Sequence, residues 1–223
     1  KMTARISVSR IHFPVTTLGP GRRLGIWFQG CSIRCPGCIS MDTWAEGRGS
    51  TTVEEVVNSI IPWISKADGI TISGGEPFDQ PDALLELTAR MRRKTEADIL
   101  VFTGYPWAYI RDMVGASPAT IDALVTGPFD FEEKQTLALR GSDNQELHFI
   151  TEKGRARFAS FERPADERDR SVDVMFDENG DVWFAGIPAR NDFRRLQELL
   201  ESNGSTLDTS EDKRMSSKLA RPA

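Results

Sequence analysis

The chain has little of what most metal and disulfide frameworks are made from. Its 223 residues hold three cysteines and two histidines. All three thiols, Cys31, Cys35 and Cys38, lie in one stretch of eight residues. An odd set crowded into one loop excludes a disulfide framework and, in a reducing compartment, reads as metal-binding or catalytic. There is no basic surplus either: 28 Lys and Arg stand against 33 Asp and Glu, a formal net charge of −5. That balance argues against a dedicated nucleic-acid binder. No apolar run approaches the ~18 residues of a membrane span. The opening "KMTARISVSRIHF" has no apolar signal core with a small-residue cleavage site. The expectation is a cytoplasmic protein with no membrane and no nucleic-acid partner. Internal repeats are also lacking.

What is present is ordinary in bulk and unusual in its loops. A composition of 39% hydrophobic and 27% charged residues is that of a globular protein. The length allows one substantial core, or one core with a small appendage. "LGIWF" (24–28) reads as a buried strand. "STTVEEVVNSIIPWIS" reads as a helix, capped by Ser50 or Thr51, with Glu54 and Glu55 in its first turn. Val53, Val56, Val57, Ile60 and Ile61 form its apolar face. "DGITIS" is a second strand, and "DQPDALLELTARMRRK" a helix with proline near its start and cations at its end. "ADILVFTG", "PWAYIRDMV" and "IDALVTG" follow as strand, short helix and strand.

Strand and helix in alternation predict a parallel sheet covered by helices, with the ligand site at the carboxyl ends of the strands. The stretches that follow the strands are "QGCSIRCPGC", "SGGEPF", "TGYPW" and "TGPF", so the glycine-rich segments share one edge. From Thr151 the pattern loosens. "TEKGRARFASFERPADERDRS" reads as a linker or loose loop. "VDVMFDENGDVWFAG" reads as a hairpin around Glu178-Asn179-Gly180. "RNDFRRLQELLESNG" is a helix capped by Asn191 or Asp192 and stopped at Gly204. The division expected is a core over residues 1–150, a small module over 151–204, and a mobile tail over 205–223.

The cysteine loop admits three readings. Buried thiols acting as small hydrophobes are disfavoured by the loop residues among them, Ser32, Arg34 and Pro36-Gly37. A zinc site would need a fourth ligand, and the histidines, His12 and His148, are not at knuckle spacing. An iron–sulfur cluster held by three thiolates leaves one iron without a protein ligand, an open position of the kind a catalytic metal needs.

Cys31-x3-Cys35-x2-Cys38, followed two elements later by Ser73-Gly74-Gly75-Glu76, resembles the radical S-adenosylmethionine (SAM) superfamily. "GPGRRLGIWFQGCSIRCPGCISMDTW" is similar in particular to the opening of the anaerobic (class III) ribonucleotide reductase activating enzymes. "TISGGEPFDQ", "VFTGYPW", "DALVTGPF" and "LALRGSDNQEL" are similar to later segments of that family, over roughly Leu18 to Leu147. Gly37 and Trp44 match it; Thr126 stands where the family often has an acidic residue. The chain also continues from His148 to Ala223, beyond the resembling segment.

The resemblance implies a partial, open βα barrel of parallel strands with outer helices, to which a hairpin–helix module is added. It implies a [4Fe–4S] cluster on Cys31, Cys35 and Cys38, with SAM on the fourth iron. The implied SAM-binding residues are Gly37, Ile39, Ser73, Gly74, Gly75, Glu76 and Thr103. Thr103 reads equally as a strand-end turn residue, and Arg140–Gln145 either face a partner or form a well-bonded surface loop. The implied activity is that of an oxidoreductase: reductive cleavage of SAM to a 5′-deoxyadenosyl radical, which takes hydrogen from a glycine of a partner enzyme. A glycyl-radical enzyme and a one-electron donor such as flavodoxin or ferredoxin are the implied partners. Two alternatives stand beside it: a radical SAM enzyme acting directly on a peptide or small molecule, and a non-enzymatic iron–sulfur protein.

Overall fold

The structure, a computed structural model, describes residues 3–116, 120–176 and 181–215. In chain order the elements are β1 (Arg5–Val15), β2 (Arg23–Phe28), β3 (Ser50–Thr52), α1 (Val53–Ile64), β4 (Gly69–Gly74), α2 (Pro81–Arg92), β5 (Asp98–Phe102), α3 (Trp107–Ala116), β6 (Ala123–Thr126), β7 (Glu146–Phe149), α4 (Glu152–Phe158), β8 (Val172–Phe176), β9 (Val182–Gly186) and α5 (Asp192–Ser202). Seven strands form one sheet in the order β3-β1-β2-β4-β5-β6-β7, and β8 pairs with β9. The four central strands, β2, β4, β5 and β6, run parallel. β1, β3 and β7 are antiparallel additions at the flanks. The result is a mixed α/β fold with a parallel centre, as the alternating pattern predicted.

Side chains of alternate register serve two faces. Leu24, Ile26 and Phe28 of β2, Ile70 and Ile72 of β4, and Ile99 and Val101 of β5 pack with the apolar stripes of α1, α2 and α3. Leu100, Ala123 and Val125 meet Phe158 of α4 on the other face. There Trp27 packs with Met175 and Ala185 of the hairpin.

α1 starts one residue later than expected. Thr52 is its cap: the Thr52 hydroxyl accepts from Glu55 N–H (3.2 Å), and the Glu55 carboxylate accepts from Thr52 N–H (3.0 Å). Ser50 and Thr51 are instead consumed in β3, paired with β1. Its buried face is Val53, Val56, Val57, Ile60 and Ile64; Ile61 is exposed, one helical step past the stripe.

One expectation for the later chain is corrected. The stretch after Thr151 is not a loose linker. Thr151 caps α4 by accepting from Gly154 N–H, and Phe158 is fully buried against the sheet. A Cβ on Gly154 would overlap the Asp122 carbonyl, so the helix lies in backbone contact with the end of the sheet. Farther on, Ser210 and Asp212 lie against the cysteine loop, and Asp212 is 3% exposed. The tail from 216 to 223, and the hairpin turn Glu178-Asn179-Gly180, lie outside the described residues.

At the amino ends of the parallel strands sits a buried ion cluster. Arg23 donates to Asp98 (2.5 Å), to the Thr71 hydroxyl (2.6 Å) and to the Ile70 carbonyl (2.9 Å). Arg157 donates to the other Asp98 oxygen (2.9 Å). The Arg23 and Asp98 side chains are both fully buried. Breaking such a pair from one side leaves an uncompensated charge. Asp98→Ala is therefore expected to lower unfolding free energy by about 3–5 kcal/mol, read from urea denaturation midpoints. A loss below about 1 kcal/mol would instead mark the pair as behaving like an exposed one.

Candidate functional site

β2 ends at Phe28 in register with Gly74 of β4, so the chain leaves both strands at the same level of the sheet. The loop after β2 carries the thiols, and the loop after β4 carries Glu76. The two loops are bonded to each other: Gly75 N–H donates to the Phe28 carbonyl and Glu76 N–H to the Gly30 carbonyl, both at 2.8 Å. A Cβ on Gly75 would overlap the Gly30 carbonyl, and one on Gly74 would overlap the Phe28 backbone. The pair is therefore glycine because neighbouring backbone occupies the space.

The cysteine loop is braced from several sides. The Gln29 side chain donates to the Ala45 carbonyl (2.6 Å), and Gln80 donates to the Gln29 carbonyl (3.0 Å). Ser32 donates N–H (2.7 Å) and O–H (2.8 Å) to the Asp79 carboxylate. Gly37 adopts φ +77°, and a Cβ there would lie 2.7 Å from the Phe131 ring. Its glycine thus satisfies both backbone and packing.

One cavity gathers every residue that the resemblance implied for cluster and SAM: Cys31, Cys35, Cys38, Gly37, Ile39, Ser73, Gly74, Gly75, Glu76 and Thr103. Its volume is about 270 Å³, at the lower edge of the roughly 300–1,000 Å³ of ordinary ligand pockets. All three thiols are free. Burial raises the pKa of each, Cys35 to about 11. Neutral thiols are poor nucleophiles, whereas iron would supply the positive charge that stabilises thiolates. Backbone N–H groups already point at two sulfurs, Arg34 at Cys31 and Ser40 at Cys38, each at 3.4 Å. Among the described residues no group of three or more His, Cys, Asp and Glu is placed to hold a single metal ion. Three thiols lining one cavity are the donor type that an iron–sulfur cluster takes. His12 lies on β1, and His148 on β7 stacks on Trp107; neither lines the cavity.

Glu76 is 1% exposed. Burial raises its pKa to about 7, against the opposing effect of three donors: Phe78 N–H (2.9 Å), Thr103 O–H (2.7 Å) and Gly104 N–H (2.8 Å). Thr103 thus acts on Glu76, a contact that neither sequence alternative contained. Arg140–Gln145 form a bonded brace. The Gln145 carbonyl oxygen accepts from Gly141 N–H (2.8 Å) while its amide donates to the Gly127 carbonyl (3.0 Å); Asn144 donates to the Pro128 carbonyl (2.8 Å). Arg140 pairs with Glu162 (2.9 Å). This brace holds the Gly127–Phe131 turn, and Gly141 and Gln145 reach the cavity.

Sequence reasoning missed the wall opposite. Phe184, Arg190, Phe193 and Asp212, all after residue 148, line the same cavity. Arg190 donates to the Phe131 and Asp130 carbonyls and lies over both Phe129 and Phe131. Phe184 lies on β9 and Phe193 on α5, while Arg190 and Asp212 lie in loops, and no periodic signal shows that these segments turn onto one cavity.

Fold and loops together define an α/β protein with a thiol-lined cavity at the carboxyl edge of a parallel sheet. Residues 17–148, more than half the chain, match the family model of the 4Fe-4S single cluster domain. The anaerobic ribonucleoside-triphosphate reductase-activating protein of Vibrio cholerae is 33% identical over 149 residues, covering 63% of this chain and 96% of that protein. The pyruvate formate-lyase-activating enzyme of Staphylococcus aureus is 41% identical over 83 residues, 34% of this chain and 33% of that enzyme. Among solved structures, QueE from Escherichia coli aligns with a TM-score of 0.38 at 20% identity, over 45% of this chain and 52% of that one. The chain belongs to the 4Fe-4S single cluster domain family and, within it, to the family of the anaerobic ribonucleoside-triphosphate reductase-activating proteins.

Glu76 gives the site a pH signature. Its folded pKa, about 7, lies above its ordinary 4.5. Between those values the folded state holds a proton that the unfolded chain has lost, so stability falls as pH rises through that window. Relative to Glu76→Gln, the wild-type apo-protein should lose about 3 kcal/mol of unfolding free energy between pH 4.5 and pH 8. A difference between the two proteins that is flat with pH would show that Glu76 is ionised throughout.

Proposed function

We propose that this protein is a radical SAM activase that generates a glycyl radical on a partner enzyme of the anaerobic ribonucleotide reductase type. The observation that carries the reading is the joining of the cysteine loop and Gly74-Gly75-Glu76 on one cavity by direct backbone bonds. Cys31, Cys35 and Cys38 hold a [4Fe–4S] cluster. Glu76 receives the SAM amino group as a charge-assisted contact, steadied by Thr103 and Gly104. Ser73, Gly74, Gly75, Gly37 and Ile39 line the remainder of the cofactor's bed.

When bound, the reduced cluster and SAM supply one-electron cleavage of the sulfonium C–S bond and the hydrogen-abstracting radical that results. The chain's own part is to bind, orient and keep water out. Trp27, Phe102, Phe129, Phe131, Phe184 and Phe193 give the cavity an aromatic lining suited to the last task. The central strands with their outer helices make up the partial barrel of the reading, and residues 1–150 its cofactor-binding unit. Residues 151–204 form an added module that contributes a wall. A small one-electron carrier, flavodoxin or ferredoxin, supplies the electron, and the setting is cytoplasmic. No helix among the described residues is long and apolar enough to cross a membrane.

The test is anaerobic reconstitution with iron and sulfide, followed by SAM and a reductant, with and without a candidate partner. The expected results are a brown cluster, 5′-deoxyadenosine, and a glycine-centred doublet by electron paramagnetic resonance on the partner. A modified peptide or small molecule formed in proportion to 5′-deoxyadenosine, with no second enzyme present, would transfer the assignment to direct modification. Cys35→Ala should lose both the brown absorbance and SAM cleavage; full activity in that variant would remove Cys35 from the ligand set.

A further inference from the structure

Three segments outside the matched family region carry unexplained polar contacts: α4 beneath the sheet, the 186–194 loop, and residues 208–214. The first two are accounted for by packing. The third buries a carboxylate against the thiol loop, and nothing in the proposed chemistry calls for it.

Asp212 N–H donates to the Cys38 carbonyl (2.8 Å), and the Asp212 carboxylate accepts from Gly37 N–H (3.1 Å). Two residues earlier, the Ser210 carbonyl accepts from Met41 N–H (3.1 Å), and the Ser210 hydroxyl donates to the Ile39 carbonyl (3.4 Å). The tail therefore bonds to the loop in the manner of a short added strand. Arg214 closes the arrangement with a two-pronged contact to Asp212 (2.7 and 2.8 Å), and its guanidinium lies 5.8 Å from the centre of the Trp44 ring.

A carboxylate 3% exposed is costly unless paired and hydrogen-bonded. Arg214, on the tail itself, supplies the pairing, and Gly37, next to Cys38, supplies a hydrogen bond from the loop. Gly37, whose φ of +77° sets the turn between Cys35 and Cys38, has its N–H fixed by this contact. We propose that Asp212 is a positioning residue for the cluster loop, and that Ser210–Arg214 is a strap that holds Gly37–Met41 in its cluster-binding shape. This rests on the reading that the three thiolates hold a cluster. It acts through the loop, and Asp212 itself ligates nothing.

The experiment compares wild type, Asp212→Ala and Asp212→Asn as full chains, first without iron and then reconstituted. In the apo-protein, hydrogen exchange at the Gly37 and Met41 amides should accelerate about tenfold or more in Asp212→Ala, the size expected for loss of a charged hydrogen bond. Asp212→Asn keeps an acceptor for Gly37 and loses the ion pair with Arg214, so its exchange should be intermediate. In the reconstituted proteins, iron release to a chelator should be several-fold faster in Asp212→Ala. The cluster's midpoint potential should rise as the carboxylate charge is removed. Unchanged amide exchange and iron release in both variants would overturn the strap while leaving the cluster reading intact. A wild type that reconstitutes no cluster overturns the cluster reading, and with it the positioning role of Asp212, even where the exchange rates respond. Should Asp212→Ala not fold, the same readouts on Asp212→Asn decide.

Discussion

The carboxyl edge of the sheet depends on one backbone junction, that between Gly30 and Gly75. Strand pairing brings Phe28 beside Gly74. The chain then continues the contact past the strands, through Gly75 N–H to Phe28 and Glu76 N–H to Gly30. A side chain at Gly75 would force the loops apart. Three thiols on one loop and a carboxylate on the other thereby acquire a fixed relation without any direct contact between them. Local strain or flexibility elsewhere matters less, because the geometry of the site is inherited from the register of two parallel strands.

The two ends of those strands do different work. At the amino ends, Arg23 lies across Gly69, where any Cβ would overlap its guanidinium, and joins β2, β4 and β5 through Thr71, Ile70 and Asp98. Its charges are paired and its hydrogen bonds made, which suits a stabilising role. At the carboxyl ends the polar groups are left facing a cavity. That division places rigidity below and chemistry above, as is general for parallel α/β sheets. The wall supplied by residues after 148 is grafted onto this plan. It reaches the cavity through Arg190 on the Gly127–Phe131 turn and through Asp212 on the cysteine loop, so it borrows the rigidity of two loops that the core already fixes.

How much of this the sequence revealed follows from what holds each part. The central strands were legible because both their faces are buried, which leaves short continuous apolar runs such as "LGIWF" and "DILVF". The thiol loop and Gly-Gly-Glu were legible as motifs of fixed spacing, and they do line one cavity. β1 escaped notice because Arg5, Arg10 and His12 interrupt its alternation; Arg10 is held by Asp42 and by the rings of Trp27 and Trp183. α4 escaped because seven residues give no readable period, and Phe158 is its one buried apolar side chain. The tail was illegible for a deeper reason. Hydrophobic periodicity reports apolar burial, whereas Ser210–Arg214 is held by backbone bonds and one paired carboxylate. A polar sequence can be ordered when its partners are already ordered, and composition alone does not show whether they are.

Glu76 shows how the two kinds of information combine. From the sequence it is one carboxylate in a short glycine-rich turn. In the fold it is surrounded by donors that favour its charge and by burial that opposes it, and burial prevails far enough to leave it at about 7. A cation entering the cavity would reverse that balance, since a nearby positive charge lowers a carboxylate's pKa. The free energy withheld from the buried, half-protonated acid is returned when an ammonium group arrives. For the amine that the proposed reading brings to Glu76, desolvation would make the carboxylate's ionisation and the binding one coupled event, beside the three thiols that line the same cavity.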